Sequence, residues 1–510
     1  MTPAPSPSLA RPVHRRLVPP SSAHPGLNPR APEPYFATPI AGTQAERRIL
    51  LLSYHFPPSS AAGSLRWQKF AGLFAEQGWG LDVVALDPAQ LKGPEPERYR
   101  DLPPGLRAYG VPQHKILIER AVERTWDRIR ALRPRRAPAP SVPAGRPAAA
   151  PSIAEPPALL REDLAWRLLH RDGWRRAYYA WVRFAHDRAW GRRVTSLALQ
   201  LVEPGVHRFV ISCGPPQLVH EAGRVVAEST GLPFVVDMRD PWSLQRRLQE
   251  HVASPLYFTL ATRAERRIVE SASLVVMNTP SAADGMASAY PGKRVLSVLN
   301  GYDDEPLPPE PVRTRFIIAF AGSIYLDRDP RLVFRAAGRV VRDLQLTPAE
   351  FGFEFIGSAG RYAGRTLEEI AQEEGIAGFV RTGPARPRAE AMAFLAEGSV
   401  LLSLPQDSGL AIPSKIYEYM RFPAWMLALT EAGSATDRIL AGTGVDVVRP
   451  DDVEGLAAVL RGRYQEFVGG VRPAPIARDP RLSRRHQAGL LLDALAEIMA
   501  NREPVRGGRD

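Results

Sequence analysis

The sequence contains one cysteine, Cys213. A lone thiol excludes an internal disulfide and a cysteine-built zinc site, and it suits a reducing, cytoplasmic setting in which Cys213 is a small buried residue at a strand end. No run reaches the ~18 uninterrupted apolar residues that a membrane-crossing helix needs. The amino terminus has no apolar core of the kind a secretory signal carries. The first β–α loop lacks G-x-G-x-x-G, which argues against a nicotinamide or flavin site. No G-x-x-x-x-G-K-[ST] is present, which argues against a Walker-type ATPase. H-E-x-x-H and G-x-S-x-G are also missing, so zincin-type and nucleophile-elbow hydrolase chemistry have no anchor.

What is abundant is proline, 51 in 510 residues and unevenly placed, about twice ordinary usage. Residues 1–45 are Pro-rich with almost no hydrophobic period, and read as a structureless tail. The net charge is +12, and nearly all of it sits in one region. Between Lys115 and Arg193 there are 18 Lys/Arg against 8 Asp/Glu, an excess of 10, with five of the nine Trp. That describes a surface and not a fold.

Elsewhere the chain keeps an α/β rhythm. RRILLLS (47–53) reads as a buried parallel strand, YHFPPSSAAGS as a loop, and LRWQKFAGLFAEQGW as a helix ended by Gly78. LDVVALD completes a β–loop–α–β unit. Further strands are expected at RFVISCG, PFVVDMRD and SLVVMNTP. A second series runs from RFIIAFAGS through FEFIGS, FVRTG, SVLLSL and WMLAL. The pattern breaks near 301–314, where Pro and acids replace apolar periodicity. The fold expected is α/β, two tandem Rossmann-like domains facing an interdomain cleft. The divisions are a 1–45 tail, a 46–300 domain carrying a basic Pro/Ala-rich insertion at about 112–196, a 301–480 domain, and a 481–510 helix and tail packing back on the first domain. Asn300–Gly301 reads as the junction hinge.

SGLAIPSKIYEYM (408–420) raises the sharpest question, because it opens a buried helix with charges. Pro413 suits the first helical position, whose N–H has no partner anyway. The free amides of that turn with Lys415 would seat an anion. Glu418, one turn on, is an acceptor fit for two sugar hydroxyls. The competing reading is an ordinary Lys415–Glu418 surface pair.

At this point the chain resembles a known family. ILLLSYHFPPSSAAGSLRWQKFAGLFAEQGWGLDVVALD, PFVVDMRDPW, VLNGYDDE, FAGSIYLDRDP, FVRTGPARPRAEAMAFLAEGSVLLSLP and IPSKIYEYM occur in the order seen in GT-B glycosyltransferases of the family 4 kind. Those are retaining, nucleotide-sugar-dependent enzymes of polysaccharide and glycolipid assembly. The resemblance covers about 46–120 and 200–465. It implies that Gly63 lets backbone approach the donor, although Ala62–Gly63 stands where members often have two glycines. It places Arg328 and Lys415 on the diphosphate, Gly383 and Pro384 along the base, and Glu418 on the ribose. Asp327 and Asp329 would compete for Arg328. Members often carry an acid where this chain has Leu410, which marks a divergent branch.

Arg239 stands where many members have a catalytic-domain histidine. With Asp240 and His55 it would form the catalytic set, Arg239 steadying the departing phosphate, Asp240 orienting hydroxyls and His55 carrying a proton, unless His55 is merely polar packing in its loop. A structural alternative has Asp237 and Asp240 capping a helix and pairing with Arg239. No metal or other cofactor is expected, since cationic side chains would do the work of a divalent ion. The partners expected are a nucleotide-sugar donor, a saccharide or lipid-linked acceptor, and an anionic membrane surface. That surface would meet GWRRAYYAWVRFAHDRAWGRR, whose Trp174, Tyr178 and Trp181 fall at helical spacing among arginines. The location is then the cytoplasm, with peripheral contact at the inner face of the cell membrane. Nucleic acid is not expected, because the charge is confined to the insertion. A GT-B-shaped epimerase or a non-catalytic binding subunit remains the alternative.

Overall fold

The structure, a computed structural model, describes residues 33–39, 47–91, 93–116, 119–120, 158–160, 173–240, 242, 244, 247–249, 254–325, 328–405, 408–476 and 479–502. Its strands are β1 (Phe36–Ala37), β2 (Arg47–Ser53), β3 (Trp79–Leu86), β4 (Leu106–Val111), β5 (Ala158–Leu160), β6 (His207–Cys213), β7 (Phe234–Arg239), β8 (Arg247–Gln249), β9 (Leu274–Met277) and β10 (Val295–Ser297) in the first half. The second half holds β11 (Phe316–Ala321), β12 (Phe351–Ile356), β13 (Arg361–Tyr362), β14 (Arg365–Thr366), β15 (Val380–Gly383), β16 (Val400–Ser403), β17 (Trp425–Leu429) and β18 (Asp446–Val448). The helices used below are α1 (Ala62–Glu76), α2 (Gly173–Leu201), α3 (Val219–Thr230), α4 (Pro255–Ser271), α5 (Pro280–Ala289), α6 (Arg331–Asp343), α7 (Leu367–Glu373), α8 (Arg388–Glu397), α9 (Ser414–Tyr419), α10 (Ala435–Leu440), α11 (Val453–Val468) and α12 (Arg484–Ala500).

Two sheets carry the fold. The first runs β1-β4-β3-β2-β6-β7-β9-β10, parallel throughout except where β1 pairs antiparallel with β4. The second runs β15-β12-β11-β16-β17-β18, all parallel. In each, chain order reverses beside the first parallel strand, between β2 and β6 and between β11 and β16. Ligands of open α/β sheets bind beyond the carboxyl ends at such switch points.

Side-chain alternation along these strands separates two cores per sheet. Leu50, Leu52, Val210 and Val236 face α2, α3 and α4, whereas Ile49, Leu51, Phe209 and Ile211 face α1 and α12. One face of the second sheet is built from phenylalanines (316, 320, 334, 351, 353 and 355), stacked and edge-on. At the end of the first sheet opposite the switch point, Asp82 is fully buried. It accepts from Arg48 Nε at 2.7 Å and meets His207 Nε2 at 3.0 Å, with Arg107 Nη2 at 2.6 Å. Burial pushes the Asp82 pKa up, but the hydrogen bonds from Arg107, His207 and Arg48 prevail and hold it below the carboxylate range. Asp82 of β3 thus links Arg48 of β2, Arg107 of β4 and His207 of β6 across four strands.

Three expectations need correction. Residues 33–39 are ordered although composition assigned them to the tail. Phe36 stacks on Tyr99 with ring centroids 4.4 Å apart, and the Tyr35 hydroxyl donates to Pro57 O at 3.0 Å. Two neighbouring aromatics find the open edge of β4, which a count of prolines does not register. The rest of 1–45, residues 1–32 and 40–45, lies outside the described residues.

The second correction concerns the insertion. The expected first helical arm (mostly), the Pro/Ala-rich 134–157 and residues 161–172 lie outside the described residues. The second arm continues to Leu201, past the expected boundary at 196. Its later half is core: Trp190, Val194, Ala198 and Leu201 pack on the first sheet, and Trp190 Nε1 donates to Val111 O at 3.0 Å. Its earlier half leaves Tyr178, Tyr179 and Trp181 exposed. The third correction is at α9. Pro413 is the residue before the helix, not its first position, and the helix spans six residues. Its dipole is therefore small, and Lys415 must carry the electrostatics.

Candidate functional site

The wall contributed by the first half forms where β2, β6 and β7 end. The loop after β2 places His55 beside the opening of α1. A Cβ on Gly63 would lie 2.5 Å from Arg239 Nη1 and 3.7 Å from His55 Cβ. Glycine at 63 therefore makes room for the guanidinium. Arg239 itself has φ of 58°, rare for a residue with a side chain, and the β7–β9 register slips between Asp237 and Arg239. Such irregularities cost about 1–3 kcal/mol and re-aim side chains at sheet ends. Arg239 Nη1 donates to Gly214 O at 3.4 Å, and its Nε is buried with no partner. Burial works against the charge of Arg239, but Cys213, Asp240 and Asp237 raise its pKa on balance. His55 moves the other way: burial, then the charge of Arg239, lowers its pKa, and Nδ1 is buried without a partner. Neutral imidazole thus stands beside a fixed cation.

A hydrogen-bonded chain supports this wall, and the sequence patterns did not reveal it. Ser212 Oγ meets His220 Nδ1 at 2.8 Å, His220 Nε2 meets Gln217 Oε1 at 3.0 Å, and Gln217 Nε2 donates to Asp240 O at 2.5 Å. The Asp240 side chain is exposed at the mouth. Asp237 lies outside the site. It is fully buried, accepting from Arg66 Nε at 3.0 Å and from Trp67 Nε1 at 2.9 Å, so the helix-capping alternative does not hold for it.

The second half contributes the other wall. Lys415 Nζ lies 3.6 Å from the centre of the Phe320 ring, and a Cβ on Gly322 would come within 2.9 Å of it. Gly322 has φ of 144° and its carbonyl would lie 2.3 Å from a Cβ on Gly357. These two glycines, both missed as site residues, let the ends of β11 and β12 close up under the ammonium. The signal was available: each follows its strand in the same setting, FAGS and FIGS. Burial, with the like charge of Arg328, lowers the Lys415 pKa well below its usual value, against the pull of Glu418. Arg328 Nη1 donates to Ser323 O at 2.9 Å, and its guanidinium lies 4.0 Å from the Tyr325 ring centre. Asp329 pairs with Arg331, and Asp327 is outside the described residues. Gly383 ends β15 and accepts from Gly357 N at 3.2 Å, and Pro384 is exposed beyond it.

Glu418 does not pair with Lys415 as the surface-pair alternative required. It accepts from Arg388 Nη1 at 2.6 Å, across 30 residues. Leu410 packs on the core of the first half, and its carbonyl accepts from Thr279 Oγ1 at 2.6 Å. Tyr417, two residues past Lys415, lies within electrostatic reach of Arg66, three residues past Gly63. The halves therefore meet where both groups of site residues stand. The crossover is clipped from both sides: Arg66 donates to Leu299 O at 3.0 Å and Val298 O at 3.1 Å, and Arg484 to Asn300 O at 2.9 Å and Gly301 O at 3.1 Å.

Solved structures share this arrangement of two parallel sheets. Anabaena HepE in complex with UDP and glucose matches with a TM-score of 0.54 at 13% identity, over 88% of this chain and 100% of that one. The α,α-trehalose 6-phosphate synthase of Burkholderia multivorans matches at 0.53 and 12%, over 91% and 99%. A substituted form of S. aureus TarM with fondaparinux, α-GlcNAc-glycerol and UDP matches at 0.55 and 10%, over 88% and 99%. The chain has the GT-B glycosyltransferase fold. No family model and no curated protein matches the sequence. His55, Gly63 and Arg239 stand together at the end of the first sheet, and Arg328, Lys415, Gly383 and Glu418 beyond the strand ends of the second. Among the described residues, no helix is long and apolar enough to cross a membrane.

Proposed function

We propose that this GT-B chain is a glycosyltransferase, moving a sugar from a nucleoside-diphosphate donor to a hydroxyl acceptor with retention of configuration, in cell-envelope polysaccharide or glycolipid assembly. The observation that carries the reading is Lys415, held over Phe320 above the Gly322 turn with Arg328 near enough to depress its pKa. Among the described residues no carboxylate forms an ion pair with this half-buried ammonium, which favours a ligand that brings negative charge. HepE was crystallised with UDP and glucose and TarM with UDP, which fits that preference. In this reading the departing diphosphate takes the proton of the acceptor hydroxyl as the new glycosidic bond forms on the same face. Lys415, Arg328 and Arg239 stabilise the charge left behind, in place of a divalent ion. His55 and Asp240 orient the acceptor, and Gly383 and Pro384 border the base.

Thermal shift with UDP, GDP, ADP and TDP tests the donor site. A true ligand at ~100 times its Kd adds about 2.7 kcal/mol of stability, and Lys415→Ala and Glu418→Ala each remove most of it. No shift with any nucleotide, or shifts untouched by both variants, sinks the reading. Transfer assays over a panel of nucleotide sugars then separate an enzyme from a silent nucleotide-sugar binder. Leu410, turned to the first domain where an acid is common, favours that second reading.

A further inference from the structure

Arg388 was in neither the sequence-derived site nor the proposed chemistry. It opens α8, four residues past Pro384, and its side chain is 30% exposed. Three carboxylates surround it. Glu418 Oε1 is bonded at 2.6 Å, and Asp303 Oδ2 and Glu305 Oε2 stand at 3.8 Å. Those two acids have other partners. Asp303 pairs with Arg484, which grips the Asn300 and Gly301 carbonyls of the crossover, and Glu305 pairs with Lys69 of α1. The arrangement is asymmetric: one tight contact on the side of the cleft, two loose ones on the side of the hinge.

We propose that Arg388 is a displaceable counter-ion for Glu418, which a ribose diol must move toward Asp303 and Glu305 before Glu418 can bind it. The inference rests on the assignment of Glu418 to the ribose of a nucleotide donor. A carboxylate already accepting from a guanidinium has its best lone pairs occupied, so two new O–H donors compete with a charge-assisted bond. The two acids 3.8 Å away give the guanidinium somewhere to go without leaving it buried and unpaired. The displaced cation then lies between the carboxylates that hold Arg484 and Lys69. Donor occupancy is thereby communicated to the residues that tie the two domains together.

Arg388 is a positioning residue in this scheme, and the test isolates the diol. Calorimetry compares UDP, or GDP where that stabilises the chain more, with its 2′,3′-dideoxy analogue and with inorganic pyrophosphate. In Arg388→Gln the ratio of ribo- to dideoxy-nucleotide affinity rises about tenfold over wild type, the scale of one lost charge-assisted bond. Pyrophosphate, which has no diol, shows no corresponding gain. Arg388→Lys, which keeps the charge but not the fork, gives an intermediate ratio and guards against a misfolded glutamine variant. An unchanged or lower ratio in both variants, with wild type binding nucleotide normally, overturns the role of Arg388 and leaves the donor site standing. Failure of wild type to bind any nucleotide overturns the donor site itself, and this inference with it.

Discussion

Arg239 stands over Gly63, with its Nη1 2.5 Å from where a Cβ at position 63 would be. The two residues come from opposite sides of the first sheet's switch point, one at the start of α1 and one at the end of β7. The glycine is thus a spacer for a cation and not merely a flexible link.

Replacing Gly63 with alanine should therefore separate stability from activity. Alanine is the better helix former by about 1 kcal/mol, so the melting temperature holds or rises. The new methyl pushes the Arg239 guanidinium off its Gly214 contact. Misplacement on that scale costs on the order of 100-fold in turnover. Steady-state kinetics beside differential scanning calorimetry checks this, and a stable variant with full activity would show that Arg239 has no part in turnover.

If Lys415 seats the donor as proposed, diphosphate binding should depend on pH. Its pKa is depressed in the free protein, by burial first and by Arg328 second. A diphosphate restores the ammonium, so binding takes up a proton above that depressed value and weakens as pH rises toward 10.5, the ordinary lysine value. For folding the sign is opposite. The unfolded chain holds the proton that the folded chain gives up, so this group adds stability as pH rises through the same window. Titration calorimetry in buffers of different protonation enthalpy measures the uptake, and Lys415→Met should abolish it.

His220 predicts acid sensitivity. Burial pushes its pKa down to about 3, against a smaller pull from Asp237. Below its usual 6.5 the unfolded chain takes up a proton that the folded chain refuses. Stability then falls by about 1.4 kcal/mol per pH unit until the folded value is reached. His220→Gln should flatten the slope between those limits in urea melts read at successive pH values. An equal slope in both proteins would place the acid-labile group elsewhere.

Membrane contact has a sharper test than removing residues 112–196, because that deletion takes Trp190 and Val194 out of the core. Tyr178, Tyr179 and Trp181 are 39%, 46% and 44% exposed, on two turns of α2 that also carry Arg176 and Arg183. Serine at all three positions leaves the core intact. The wild type should float with phosphatidylserine-containing vesicles and the triple variant should remain below. Equal flotation removes these aromatics as the anchor.

Much of the molecule was readable from local pattern. The alternation of buried strands, Pro/Gly loops and amphipathic helices announced two parallel sheets in series, and the change in composition after Asn300 marked the crossover. Those signals survive in one dimension because burial repeats every second residue in a strand and about every 3.6 in a helix. The site residues were named on other grounds: Lys415 and Glu418 from the charged opening of a short helix, and Gly63, Arg328, Gly383, Pro384, Arg239, Asp240 and His55 alongside the resemblance to a known family. What periodicity cannot encode is the choice of partner. Glu418 went to Arg388 and not to Lys415, Asp237 to Arg66 and Trp67 and not to Arg239, and Leu410 to Thr279 across the domain boundary. Each of those pairs spans between 30 and 171 residues. Such contacts depend on how helices cross the sheets and how the halves meet, so only the folded chain decides which charges are spent on architecture and which remain for a ligand.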